Sequence, residues 1–390
     1  MSKLLIKSVN IIDGDSNELQ ENMDVLIEGE KISKIKKTIS DNEAKQIDGT
    51  KKYLVPGLID THVHLVWDGS GDPQSKIEKK DHTYLSLTAL KQAKSCLYNG
   101  ITTVRDVGSP GLTVLSLKQA INEQKAVGSN IICSGPAMVM IGGHGWFLGK
   151  EVSGEDEIRR KTREVLKEGV DLVKVMATGG IYTDGEEPGA PQLQAKEIEA
   201  AVIEAHNQGK KVASHAQGLT GIENSITAGV DSIEHCIFAD DNSLQKMKEQ
   251  DIFMVPTLNV MKRMANIGVA GGLPEFAAKK ASQVVKVHQN TFQKALDKGV
   301  KIAAGTDLFA PYLPTKEYFN ELKLMNELGM SPSQVLRSAT SKAAELLDIT
   351  NRGIIKEGNI ADLVLLNNNP LSDIGALKDQ YKVIKEGSLI

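Results

Sequence analysis

The stretch Leu58-Ile59-Asp60-Thr61-His62-Val63-His64-Leu65 decides how this chain is read. Strand side chains alternate with period two, so two histidines one residue apart project from the same face of a strand. That is a ready-made pair of metal ligands. Further single metal-type residues follow at barrel-strand spacing: Lys174 in VDLVKVMATGG, His215 in KVASHA, His235 in DSIEHC and Asp307 in KIAAGTD. Each is read at the C-terminal end of a short apolar run, where parallel α/β proteins place their chemistry. One such pair is a weak signal, whereas agreement among five strand ends is strong.

Outward from this stretch, eight runs read as strands: 53–62, 101–107, 130–135, 170–176, 211–216, 231–236, 252–258 and 301–307. The segments between them read as amphipathic helices closed by glycines in C-cap-like positions, at Gly100, Gly128, Gly169, Gly209, Gly229 and Gly299. In AKEIEAAVIEAHNQG, Ile198, Ala201, Val202 and Ala205 form the apolar stripe. Eight β/α alternations predict an α/β fold, a (β/α)8 TIM barrel over 57–350, because an open sheet would not bring five strand ends to one point. A closing helix over SPSQVLRSATSKAAELL starts at the Ser331-Pro332 signal. Residues 1–56 and 351–390 both read as β, and are expected to pair into one small discontinuous β-sandwich domain. Long loops after strands one, three, four and seven are where substrate access should be shaped.

Length and composition are those of an ordinary soluble protein: 390 residues, 41% hydrophobic and 25% charged. A net charge of −4 gives no reason to expect nucleic acid or an anionic membrane as partner. No apolar stretch approaches the ~20 residues that span a bilayer, and no signal peptide is visible, so a cytoplasmic location is expected. Cys96, Cys133 and Cys236 form no CxxC pair and read as reduced thiols. Cys236 adjoins His235, but alternation turns it away from any site His235 faces.

Read alone, each histidine could be a satisfied core residue. Asp307 ends a buried strand and needs a cation or several donors. Lys174 lies in an apolar strand, where a lone ammonium is costly. It could form an internal ion pair with a barrel carboxylate. The favoured alternative is a neutral amine that takes up carbon dioxide as a carbamate, a carboxylate on a long arm able to bridge two ions.

The chain resembles the amidohydrolase superfamily, and in particular its prolidase-like branch of Xaa-Pro dipeptidase-like and Xaa-Arg carboxypeptidase-like enzymes. PGLIDTHVHL, GITTVRDVG, KVMATGGIYT, VASHAQG, AGVDSIEHC, AAGTD, ATSKAAELL and GNIADLVLLNNNPL carry the resemblance, end to end. It implies that His62, His64 and Asp307 hold one divalent ion and His215 and His235 a second, bridged by carboxylated Lys174. Zinc is the expected metal, with manganese, iron and cobalt open. The implied reaction is hydrolysis of an amide C–N bond in a dipeptide or N-acyl amino acid by a metal-bridged hydroxide, with Asp307 moving the proton. Small-molecule amides are the expected partners, and homo-oligomerisation is implied by the resemblance alone.

Glycines flank His144 in IGGHGW and let its ring approach a substrate carbonyl or carboxylate. Trp67, Trp146, Tyr182 and Tyr312 are candidate pocket walls. Arg105 and Asp106 read as a structural polar pair, and His82, His206 and His288 as helix residues without function. Two features bear on specificity. His235 is followed by Cys-Ile-Phe-Ala rather than the aromatic hydroxyl common in peptidase members, and the loop acids of Gly-Glu-Glu-Pro at 185–188 could face a cationic side chain. The alternatives are an imidazolonepropionase-like enzyme acting on a cyclic amide, aryl amide or carbamate, and a non-catalytic scaffold of the same fold. A mononuclear deaminase fits less well, because no acid follows His215 in VASHAQG.

Overall fold

The computed structural model describes residues 2–16, 18–182, 185 and 187–390. The fold is α/β with parallel sheet at its centre. Leu58–Val63, Ile101–Asp106 and Asn130–Cys133 form one parallel sheet. A second contains Gly149–Val152, Ala137–Met140, Leu172–Met176, Lys211–Ala216, Ser232–His235 and Phe253–Val255, in that spatial order. Parallel bridges Met254↔Ile302 and Val63↔Leu308 set the segment 302–308 between the two sheets. This eighth candidate strand makes only isolated bridges, although its backbone bonds reach both neighbours, Ala303 N to Met254 O on one side and Asp307 N to His62 O on the other.

One expected strand and two expected loops changed. The run 53–62 breaks at Gly57: Tyr53–Pro56 joins the sheet of the chain ends, and Leu58–Val63 the central one. A Cβ at Gly57 would collide with the Thr102 side chain, so the chain crosses between sheets only on a glycine. The loop after strand three contributes two strands of its own, Ala137–Met140 and Gly149–Val152. The loop after strand seven coils into the helix Leu258–Ile267 ahead of the long helix Glu275–Lys298.

The helices follow their sequence signals. Ile198, Ala201, Val202 and Ala205 are all buried. Gly100, Gly169, Gly209, Gly229 and Gly299 have the left-handed φ of a helix cap. Gly128 does not; a Cβ there would press on Ile121 and Ala93, so close packing explains it. Ser331 caps its helix through Gln334, but the expected single helix divides into Pro332–Ser338 and Ser341–Leu346.

Both chain ends share one eight-stranded sheet, with Leu363–Leu366 antiparallel to Tyr53–Pro56. Ile6, Val9, Ile11, Val25, Ile27, Leu54, Leu363 and Leu365 meet in one apolar cluster on it. The register of its first strand slips between Ile6 and Val9, where Ser8 has φ 54°. Asp24 stabilises the slip, accepting from Ser8 N (2.8 Å), Ile39 N (2.8 Å) and Lys7 Nζ (2.7 Å). Burial pushes its carboxyl pKa up, but Lys7 and the two amides more than reverse that and hold it below the ordinary value.

A depressed folded pKa contributes stability above the ordinary carboxylate pKa that is lost as pH falls below it. Asp24→Asn should therefore lower stability at pH 7 by about 2 kcal/mol, the scale of a buried hydrogen bond to a charged group. In thermal melts its deficit against wild type should shrink below about pH 4.

Candidate active site and metal centre

The strand pattern brings His62, His64, Lys174, His215, His235 and Asp307 to one cavity, all lining it. Lys174 pairs across the ladder with Ala213, two residues below His215. Only a long side chain reaches the histidines from that lower layer. His62 Nε2 and His64 Nε2 each lie 3.6 Å from Asp307 Oδ1. The His62 and His235 rings are 5.1 Å apart, and those of His215 and His235 4.5 Å. Donor atoms of His62, His235 and Asp307 all fall within 4.8 Å of one another, a triad drawn from both implied ligand sets.

Backbone geometry at the site is unusual. His235 has φ 67° and Asp307 φ 65°, left-handed values that ordinary residues hold only when the surroundings force them. At His235 this breaks strand alternation, so Glu234 and His235 both face inward. Cys236 turns away and packs 3.8 Å from Met247 Sδ. All three cysteines are buried and free.

Each histidine is held from behind. His62 Nδ1 is 2.7 Å from Glu234 Oε2, His64 Nδ1 3.0 Å from Gly108 O, and His235 Nδ1 2.7 Å from Thr257 Oγ1. His215 is bonded to the Gly179 backbone. These contacts fix the ring orientations and turn Nε2 of His62 and His64 toward Asp307. His215 Nε2, Lys174 Nζ and Asp307 Oδ1 are buried with no hydrogen-bond partner among the described residues. Orphaned buried donors and acceptors of this kind are rare; a cation would satisfy the lone pairs of His215 Nε2 and Asp307 Oδ1, and Lys174 Nζ could join them only with its amine unprotonated. A 3.6 Å spacing also suits two ligands each ~2.0–2.2 Å from one ion. The residues therefore fit divalent metal.

Burial dominates the electrostatics. It holds the imidazoles of His62, His64, His215 and His235 below their ordinary pKa, which favours the neutral form a metal would need. It pulls Lys174 down to about 8 despite the opposing pull of Glu234 and Asp307, and raises Asp307. Burial raises Glu234 too, but Arg105 and His62 outweigh it and keep that carboxyl ionised. His144 lies beside His215, ring centroids 4.5 Å apart, and burial with nearby Lys174 and Lys280 brings it to about 4.

Trp67 and Tyr182 line the cavity, as do Phe147, Gln217, Val260, Met261 and Met264. Trp146 sits on a short turn, 36% exposed, outside the lining. Tyr312 also lies outside it, packed with Trp67 and Tyr182 in one apolar cluster. Of the loop acids, Glu187 is exposed and Glu186 lies outside the described residues. His82 bonds Thr113, and His206 bonds Asp231 at the surface. His288 does more than expected: it is buried, its Nε2 2.9 Å from the His235 carbonyl.

Arg105 and Asp106 are not a pair. Arg105 donates to Thr61 O, Ser232 Oγ and Glu234, while Asp106 accepts from Leu65 N and Gly108 N. Alternation along Ile101–Asp106 separates them, one facing the interior and one the loop above. Glu234 was missed in the sequence. Its signal was an acid inside the apolar strand Ser-Ile-Glu-His, matched by a buried arginine on Ile101–Asp106 in the other parallel sheet.

Fold and site together place six metal-type side chains at one cavity over parallel strands. The chain matches the amidohydrolase family over residues 53–390 and belongs to it. Its class is that of hydrolases acting on amide bonds. It is similar to a solved Xaa-Pro dipeptidase with methionine bound in the active site, at TM-score 0.93 and 35% identity, covering 100% of both chains. A prolidase complexed with N-methylphosphonate-L-proline superposes at TM-score 0.93 with 29% identity, over 100% of this chain and 99% of the other. Ochratoxinase of Aspergillus niger is 31% identical over 361 residues, 85% of this chain and 73% of the relative.

A Cβ at Gly180 would run into the His144 ring. In a crystal structure of Gly180→Ala, the ring should withdraw by about 1 Å to reach ordinary contact distance. An unmoved ring would mean that the 178–180 turn yields instead.

Proposed function

We propose that the chain is a binuclear metal-dependent hydrolase of dipeptides or N-acyl amino acids. One observation carries the reading: among the described residues three buried atoms, Lys174 Nζ, His215 Nε2 and Asp307 Oδ1, have no hydrogen-bond partner, at a cavity where all six expected ligands meet. His62, His64 and Asp307 would hold one ion, His215 and His235 the other, and Lys174, as a carbamate, would bridge them. Zinc suits this donor set. The strands and the bridges at Ile302 and Leu308 support a closed (β/α)8 barrel over 57–350, and the shared sheet of the chain ends supports a second domain of 1–56 with 351–390.

Bound ions of this kind acidify a water and polarise the scissile carbonyl. Asp307 accepts the proton of the attacking water at a carboxylate oxygen and delivers it to the leaving amine nitrogen. Its left-handed backbone and the Asp60–Thr306 bond (2.5 Å) keep it aimed at the histidines. Neutral His144 donates a hydrogen bond to the substrate carbonyl oxygen or carboxylate. Trp67, Phe147, Met261 and Met264 exclude water and receive an apolar side chain. That wall, with the similarity to ochratoxinase, also favours a second reading, hydrolysis of an aryl amide.

Elemental analysis after expression with zinc and bicarbonate should find two ions per chain. Chelation should abolish hydrolysis in a screen of dipeptides and N-acyl amino acids, and zinc with bicarbonate should restore it. No bound metal would overturn the reading, whereas two ions with silence on these substrates would favour aryl amides. On the substrate found, His144→Asn should lower kcat/KM about 10²-fold, as losing one positioned donor does. Wild-type kcat/KM would remove His144 from the mechanism.

A further inference from the structure

The four histidines are not held alike. His64 leans on a backbone carbonyl, His215 on the Gly179 backbone and His235 on the Thr257 hydroxyl, all neutral. His62 alone meets a carboxylate, Glu234, at 2.7 Å. Glu234 is wholly buried and fully engaged: Oε1 takes Arg105 Nη2 at 2.8 Å and Ser232 Oγ at 2.6 Å, and Oε2 takes His62. Arg105, 1% exposed, is anchored in turn by Thr61 O and Ser232 Oγ. The chain Arg105–Glu234–His62 therefore runs through the interior from three strands to one ligand.

We infer that Glu234 is a positioning residue that, through His62, sets the affinity of one metal position and makes the two positions unequal. An imidazole whose far N–H is given to a carboxylate is a stronger donor at its near nitrogen than one bonded to a neutral acceptor. The ion at His62 is held tightly, and the ion at His215 and His235, backed by neutral groups, exchanges more readily. Arg105 keeps Glu234 charged in a place where an unpaired carboxylate would be neutralised. This inference rests on the metal reading above, but concerns residues outside the ligand set.

The test is zinc titration of metal-free full-length protein against a competing chromophoric chelator, with wild type and Glu234→Gln side by side. Wild type should show two affinities. In Glu234→Gln the tighter should weaken 10- to 100-fold, the usual effect of removing such a partner, with the weaker changed less than threefold. Cobalt loaded to one equivalent should show an altered visible spectrum in the variant, which loss of a purely structural ion pair would not produce. Unchanged affinities, or an equal fall in both, would overturn the inference.

Glu234→Gln leaves Arg105 buried without its partner and could fail to fold. The double variant Arg105→Met with Glu234→Gln removes both charges and must show the same selective weakening. If wild type binds one ion, the binuclear reading falls, and the inference is judged by whether that ion weakens in the variant. If wild type binds none, both fall.

Discussion

The constraint on which the structure depends is the removal of six ionisable side chains from water at one end of a set of parallel strands. A buried ammonium, a buried carboxylate and four imidazoles would each be costly alone. The cost is met by arrangement rather than by mutual pairing. Every histidine is satisfied on its far nitrogen, while Asp307 Oδ1, His215 Nε2 and Lys174 Nζ, at the same cavity, have no hydrogen-bond partner among the described residues. Such a cluster is incomplete as protein alone, and becomes coherent once cations enter it.

The supporting shell accounts for much of the local sequence. Asp60 receives Thr306 and the His62 amide, tying the first ligand strand to the segment that carries Asp307. Asp106 receives Leu65 N and so fixes the turn just past His64. Burial lifts both carboxyls to about 7, against the pull of the backbone amides that each accepts from. Arg105 and Glu234 are the contrasting case, an ion pair kept charged by its own geometry.

That six metal-type residues would gather at one place was legible in the sequence because strand ends impose two simple rules, alternation and spacing. The apolar helix stripes were legible for the same reason. What failed were inferences that assumed those rules hold at the site itself. Alternation breaks at His235, so Glu234, one residue earlier, turns inward, and no periodicity could announce that. Arg105 and Asp106 were paired because they are neighbours, yet each bonds a residue distant in sequence. The run 53–62 hid a change of sheet at Gly57, because what matters there is the side chain of Thr102, some forty-five residues on. The pocket walls were half legible: Trp67 and Tyr182 line the cavity, Trp146 and Tyr312 do not, and Met261 and Met264 come from a helix read as loop.

That division has a physical cause that bears on specificity. Ligands sit on strands whose positions are set by the ladder, whereas the walls sit on connections whose shape depends on packing against one another. The outer wall of the cavity includes side chains that change rotamer readily, above all Met261 and Met264. A wall built this way can be remodelled without moving the strand ends, and the solved structures that superpose on this chain include both a Xaa-Pro dipeptidase and an ochratoxinase.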